Sequence, residues 1–106
     1  MRWTATAWSD VESIASYIAK DSPSYAATFV RHVRDAARSL GSMAERGRVV
    51  PEIGEPAVRE LLLGRYRLIY QVTENEAYVL AVIHGARDLF ALWQREERGS
   101  SGKLAQ

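Results

Sequence analysis

Cysteine is absent from the chain, and histidine, proline and lysine are scarce: two, three and two residues among 106. Without thiols there is no disulfide framework, no thiolate metal site and no cysteine nucleophile. Two imidazoles are a poor basis for a dedicated zinc site. Long apolar runs are missing too. The longest, Tyr78 to Ile83, is far short of the ~20 residues that cross a bilayer, and the opening MRWTATAW holds no signal-peptide hydrophobic segment. A soluble, cytoplasmic protein with no membrane association is expected. The chain length suits one domain, and 47% hydrophobic with 25% charged residues belongs to a globular rather than a disordered chain. The net charge of +1 conceals a bias, because twelve of the fourteen basic residues are arginine and only Lys20 and Lys103 are lysine. Guanidinium offers a planar fork that matches carboxylate and phosphate; a GC-rich genome produces the same bias with no functional cause.

Ser9-Asp10-Val11-Glu12 has the form of a capping box, so a helix is expected to begin there. Val11, Ile14, Ala15 and Ile18 follow at the spacing of one buried stripe. Ser22-Pro23 starts a second helix, serine as N-cap and proline at the first helical position, and Ala26, Phe29, Val30, Val33, Ala37 and Leu40 carry its stripe to Gly41. Beyond Arg48 the period changes. Val49-Val50-Pro51 reads as an edge strand or extended loop. Val58 to Leu63 and Tyr66 to Val72 flank Gly64-Arg65 as a hairpin, and Ala77 to His84 is the third strand of the meander. Arg2 to Ala7 is expected as a short opening strand, Asp88 to Glu97 as a short C-terminal helix, and 99–106 as a flexible tail behind a single domain over 1–98.

The order β-α-α-β-β-β makes an α+β fold, with the N-terminal strand and the helical hairpin on one face of a small curved antiparallel sheet. The opposite face is then expected to be open. Alternation along Tyr66 to Val72 puts Tyr66, Leu68, Tyr70 and Val72 toward the helices and Arg65, Arg67, Ile69 and Gln71 away from them. Apolar residues among arginines on a bare sheet face mark an interaction surface.

Several segments in this order resemble the RelE/ParE toxins of bacterial type II toxin–antitoxin modules. They are Trp8-Ser9-Asp10-Val11-Glu12-Ser13-Ile14 with Tyr17-Ile18-Ala19, Ser22-Pro23 with Ala26 and Phe29, and Gly47-Arg48-Val49-Val50-Pro51-Glu52. Arg59-Glu60-Leu61, Tyr66-Arg67-Leu68-Ile69-Tyr70 and Val82-Ile83-His84-Gly85-Ala86-Arg87 complete the set. The resemblance implies a cognate antitoxin in a hetero-oligomer, its C-terminal segment lying across the toxin, and no metal or organic cofactor. It leaves the target open. The RelE branch cleaves mRNA on the ribosome, which requires a base, an acid and cations at the phosphate. Arg67 and Arg87 match arginine positions of that branch. Its lysine pair is missing here, Val58 and Glu60 standing in that stretch, and each lost donor removes ~2.7 to 4 kcal/mol of transition-state stabilisation. A variant of that branch uses glutamate, arginine and histidine, for which Glu52, Arg67 and His84 are the candidates. His84 stands two residues before the matching position, a shift that keeps to the same face of a strand.

The ParE branch poisons DNA gyrase without chemistry of its own, and the missing lysines together with His84-Gly85-Ala86-Arg87-Asp88-Leu89 lean toward it. A third reading is a non-toxic relative acting only in operon autoregulation. The expected partner-binding residues are Arg59, Arg67, Ile69, Arg87, Leu92 and Trp93. Each has a plainer reading: Arg67 pairing with Glu60, Arg59 in a surface dyad, Glu52 bridging Arg48, His84 satisfied at a strand end, Arg87 bonding its own chain, and Leu92 and Trp93 within an ordinary amphipathic terminus.

Overall fold

A computed structural model describes residues 1–85. The expected C-terminal helix, the tail, Arg87, Leu92 and Trp93 lie outside the described residues. The elements run β1 (Arg2–Trp3), α1 (Ala5–Ala19), α2 (Pro23–Ser39), β2 (Arg48–Val49), β3 (Val58–Leu63), β4 (Tyr66–Val72) and β5 (Ala77–His84). They form one open five-stranded sheet in the order β1-β5-β4-β3-β2.

The first helix begins a turn earlier than the capping box at Ser9 suggests. Thr4 is the N-cap, its hydroxyl accepting from the Ala7 amide at 3.1 Å while donating to the Val79 carbonyl at 2.8 Å. One side chain thus satisfies an orphan helix donor and holds the helix start against β5. The opening strand is correspondingly cut to two residues. It pairs parallel with β5, Arg2 beside Tyr78 and Trp3 beside Val79, so the sheet is mixed and not wholly antiparallel. Asp10 lies inside the helix, where its carboxylate accepts the Val82 amide at 3.0 Å and closes part of the β5 edge that β1 is too short to cover. The second helix starts as the sequence indicates, Ser22 capping the Tyr25 amide with Pro23 at the first turn. Val49 pairs with Arg59 at the sheet edge, and Gly64, at φ +60°, makes the β3–β4 turn.

The main core lies between the hairpin and the sheet. Ala7, Val11 and Ile18 of α1 and Phe29, Val33 and Ala37 of α2 meet Leu61, Leu68, Tyr70, Val79 and Val82. Both helical stripes and the inward set of β4 agree with the periodicity. The opposite face, however, is not bare. Val50, Val58, Ile69 and Ile83 form a second cluster there, with Ile53 and Ala81 packed against it. The segment from Val50 to Ala57 folds back because the Val50 amide bonds the Val58 carbonyl at 3.2 Å and the Gly54 amide bonds the Val50 carbonyl at 2.9 Å. Gly54, at φ +73°, supplies the left-handed step of that turn.

One irregularity sets the sides of β5. Ile69 pairs with Ala81 but Tyr70 pairs with Val79, so Leu80 has no partner on β4 and the strand is bulged there. Val79 and Val82 both face the helices as a result, and Ile83 faces away.

At the other end of the chain pairing, the Met1 ammonium and the Arg2 guanidinium (Nε to Oε2, 3.3 Å) both contact Glu76. The ammonium, as hydrogen-bond donor and charge, holds the Glu76 carboxyl below its ordinary value. Because the folded value is the lower one, the stabilisation is present above the ordinary carboxylate range and is lost as pH falls through the folded value. Glu76→Gln is therefore expected to lower Tm at pH 7 and to lower it by less at pH 3. An equal decrement at both pH values in thermal melts contradicts the pairing.

Candidate functional site

The sequence singles out Arg67, and its surroundings define the site. On β4 its side chain points to the face opposite the helices, where Ile69 also lies. Glu60 of β3 sits across from Ile69 on that face. Its Oε1 accepts from Arg67 Nη1 at 3.0 Å, and its Oε2 accepts from Arg48 Nε of β2 at 2.6 Å. Glu52, carried over by the folded-back segment, takes the other side of the guanidinium in a bidentate contact, Oε1 to Nη1 at 3.1 Å and Oε2 to Nη2 at 2.6 Å. The result is a chain of alternating charge, Glu52–Arg67–Glu60–Arg48, that sums to zero. Its centre is dry: the Glu60 side chain is 0% exposed and that of Arg67 7%. Within this network the buried Arg67 Nε is without a hydrogen-bond partner. The fork-to-fork contact with Glu52 and the bond to Glu60 commit both Nη groups of the guanidinium.

Arg67 is thus not a free cation on an open face, and Ile69, 1% exposed, is core. Two plainer readings from the sequence hold in part. Arg67 does pair with Glu60, while Glu52 bridges Arg67 and Arg48 goes to Glu60.

Arg59 serves the opposite side of β3. Its Nη1 donates to the Gly47 carbonyl at 2.9 Å and its Nη2 lies 3.9 Å from Glu45. Beside it the Tyr70 hydroxyl accepts the Gly47 amide at 2.9 Å, and burial pushes the Tyr70 phenol above its ordinary pKa. Arg59 therefore fastens the loop that leads into β2.

His84 pairs in register with Tyr66, and its ring stands edge-on to that of Tyr66 with centroids 5.6 Å apart. Tyr66 in turn packs against Phe29 at 5.1 Å. This aromatic row belongs to the helix-bearing face, beside a groove of about 270 Å³ lined by Tyr25, Phe29, His32, Leu63 and Tyr66. His84 is thus on the opposite side of the sheet from Arg67 and Glu52. The expected sharing of one face by Glu52, Arg67 and His84 is not met. Among the described residues no group of three or more His, Cys, Asp or Glu is placed to hold a metal ion, and no helix is long and apolar enough to cross a membrane.

The family model described as "ParE toxin of type II toxin-antitoxin system, parDE" matches residues 1–89. The chain belongs to this family. The ParE-family chain is also 31% identical over 86 residues to Toxin RelE2 of Caulobacter vibrioides, covering 80% of this chain and 93% of the relative. A chain from the chromosomal ParDE toxin–antitoxin system of P. aeruginosa superposes with a TM-score of 0.64 at 24% identity, over 78% of this chain and 91% of that one. The α-hairpin on a curved sheet is accordingly the fold of a ParE-type toxin. One of these relatives carries a RelE name and the other a ParDE name.

Two features of this ParE-family chain escape a reading of residue patterns, and a third does not. Glu52 reaches Arg67 only because the segment after β2 doubles back, which Gly54 hints at but does not specify. Gly47 is buried against Tyr70 and the Glu60 backbone, with no flanking signal. The third was visible: Arg31, Arg34 and Arg38 recur at i, i+3 and i+7 on α2.

Proposed function

We propose that the protein is the toxin of a type II toxin–antitoxin module that arrests growth by binding and poisoning DNA gyrase in the cytoplasm, without catalysing a reaction itself, and that a cognate antitoxin neutralises it. The observation that carries this reading is the occupation of Arg67 by two carboxylates. A ribonuclease needs that guanidinium at the scissile phosphate, and two acidic groups around it repel a phosphate rather than receive one. The position of His84 across the sheet supports the same reading, because an acid or base must come within about 3 Å of the proton it moves.

The antitoxin segment is the partner closest at hand. Leu62, 58% exposed, lies on the Arg67 face opposite Arg67 in register, with half-exposed Arg48 beside the same ion network. An extended or helical segment carrying an apolar residue and a carboxylate fits there, and Arg87, Leu92 and Trp93 remain candidates for its other contacts. Binding to the folded form raises Tm by mass action.

The test is induced expression of wild type and of Glu52→Gln/His84→Ala. Both chains are expected to stop growth with an SOS response and with protein synthesis continuing at first. Rapid mRNA loss without DNA damage, abolished by the double substitution, overturns the proposal in favour of ribosome-dependent mRNA cleavage. The likeness to Toxin RelE2 is what keeps that second reading in view.

A further inference from the structure

The arginines of this chain are treated in two ways. Among the described residues those of the sheet are neutralised locally: Arg2 by Glu76, Arg48 by Glu60, Arg67 by Glu52 and Glu60, and Arg59 by Glu45 at longer range. Those of α2 are not. Arg31 has only the Thr28 hydroxyl at 3.5 Å, no described carboxylate lies within 4.0 Å of Arg34, and Arg38 meets Asp35 at the 4.0 Å limit. All three are exposed.

Their spacing makes them a unit. Residues i, i+3 and i+7 share one stripe of a helix, and seven residues at 1.5 Å rise spread the three guanidiniums over roughly 10 Å. Ala27 and Val30 form the floor of the depression, about 320 Å³, that Arg31, Arg34, Asp35 and Arg38 complete.

We propose that the Arg31–Arg34–Arg38 stripe of α2 is a binding surface for the phosphodiester backbone of duplex nucleic acid. Successive phosphates of one strand advance 3.4 Å along the duplex axis, so a stripe of this length spans about three of them, each within reach of a guanidinium fork. A protein partner fits less well. Interfaces between proteins are anchored by buried aromatic residues, and among the described residues the exposed aromatics, Trp8, Tyr17 and Tyr25, are not part of the depression's lining. Contacts to phosphates carry no sequence information directly, so the proposed binding is independent of base sequence.

Fluorescence anisotropy of a labelled 20-base-pair duplex with the full chain tests this in the absence of any topoisomerase, so the outcome does not depend on the gyrase reading. Three phosphate contacts give a log–log salt slope near −2.7, a loss of about 40-fold in affinity between 50 and 200 mM salt. Arg31→Gln/Arg34→Gln/Arg38→Gln is expected to weaken binding at least tenfold at 100 mM salt and to flatten the slope, with unchanged circular dichroism. Arg2→Gln/Lys20→Gln/Arg65→Gln removes the same charge elsewhere and is expected to bind within about twofold of wild type. Absence of wild-type binding, equal losses in both variants, or a polyglutamate 20-mer binding as tightly as the duplex would each overturn the proposal.

Discussion

Arg67→Met is expected to lower the stability of the domain by about 3 to 5 kcal/mol, the usual consequence of removing one partner from a buried ion pair. The reason lies with the groups left behind. Glu60 is wholly enclosed and keeps only the Arg48 contact, while Glu52 loses both of its hydrogen bonds in the network. Domains of this size have 5–15 kcal/mol in total, and each kcal/mol moves Tm by ~4–8 °C, so a fall of more than ~12 °C is expected. The partner experiment isolates the cause. Arg67→Met/Glu60→Leu exchanges the buried charges for apolar groups beside Ile69 and Ile83, and replacements of that kind are often neutral. The double variant should therefore recover most of the lost Tm, with a coupling energy of opposite sign to the single losses. Chemical denaturation of the four chains of this cycle measures it. Additive losses would mean that Arg67 contributes by packing its stem and not by its charge.

The second large effect is expected at Gly47. A Cβ there would stand 2.6 Å from the Glu60 backbone carbonyl and 2.6 Å from the Tyr70 hydroxyl, so either β3 or the loop must move. Gly47→Ala is expected to cost about 2–4 kcal/mol, combining overpacking with loss of the amide bond to Tyr70. Gly54→Ala is the comparison: its Cβ meets nothing within 4 Å, and the penalty is only that of a left-handed residue, ~1–2 kcal/mol. Adding Tyr70→Phe to Gly47→Ala removes the hydroxyl clash but leaves the ring Cε1 at 2.9 Å and the Glu60 carbonyl at 2.6 Å, so partial relief is expected. Full relief in thermal melts would show that the carbonyl of Glu60 is not an obstacle. Displacing that backbone also moves the Glu60 carboxylate, which links this position to the Arg67 network 20 residues away in sequence.

What could be read from residue patterns follows from which forces are local. The stripes of α1 and α2, the Ser22-Pro23 start and the Gly64 turn are set by periodicity, capping and backbone freedom, and each is found where the pattern puts it. The start of α1 is not, because two caps compete: Thr4 gains a second bond to Val79 from β5 that Ser9 has no means to match, and sequence does not show a contact 75 residues distant. Parity along β4 correctly assigns Arg67 and Ile69 to the face away from the helices. It says nothing of Glu52 and Ile53, which the turn after β2 lays over them, and so an enclosed ion network looks in sequence like a bare arginine surface. The positions after Gly85 that the family pattern singles out add nothing to either side of this comparison.

The unpaired Leu80 has a consequence for the whole family of shapes this chain could take. Were β5 laid out without that extra residue, at unchanged chain length, every position beyond it would slip by one against β4, and the imidazole at its end would turn to the Arg67 side beside Glu52. A single slipped register thus decides whether the His84 ring lies with Tyr66 on the helix-bearing side or on the side of the Arg67 ion network.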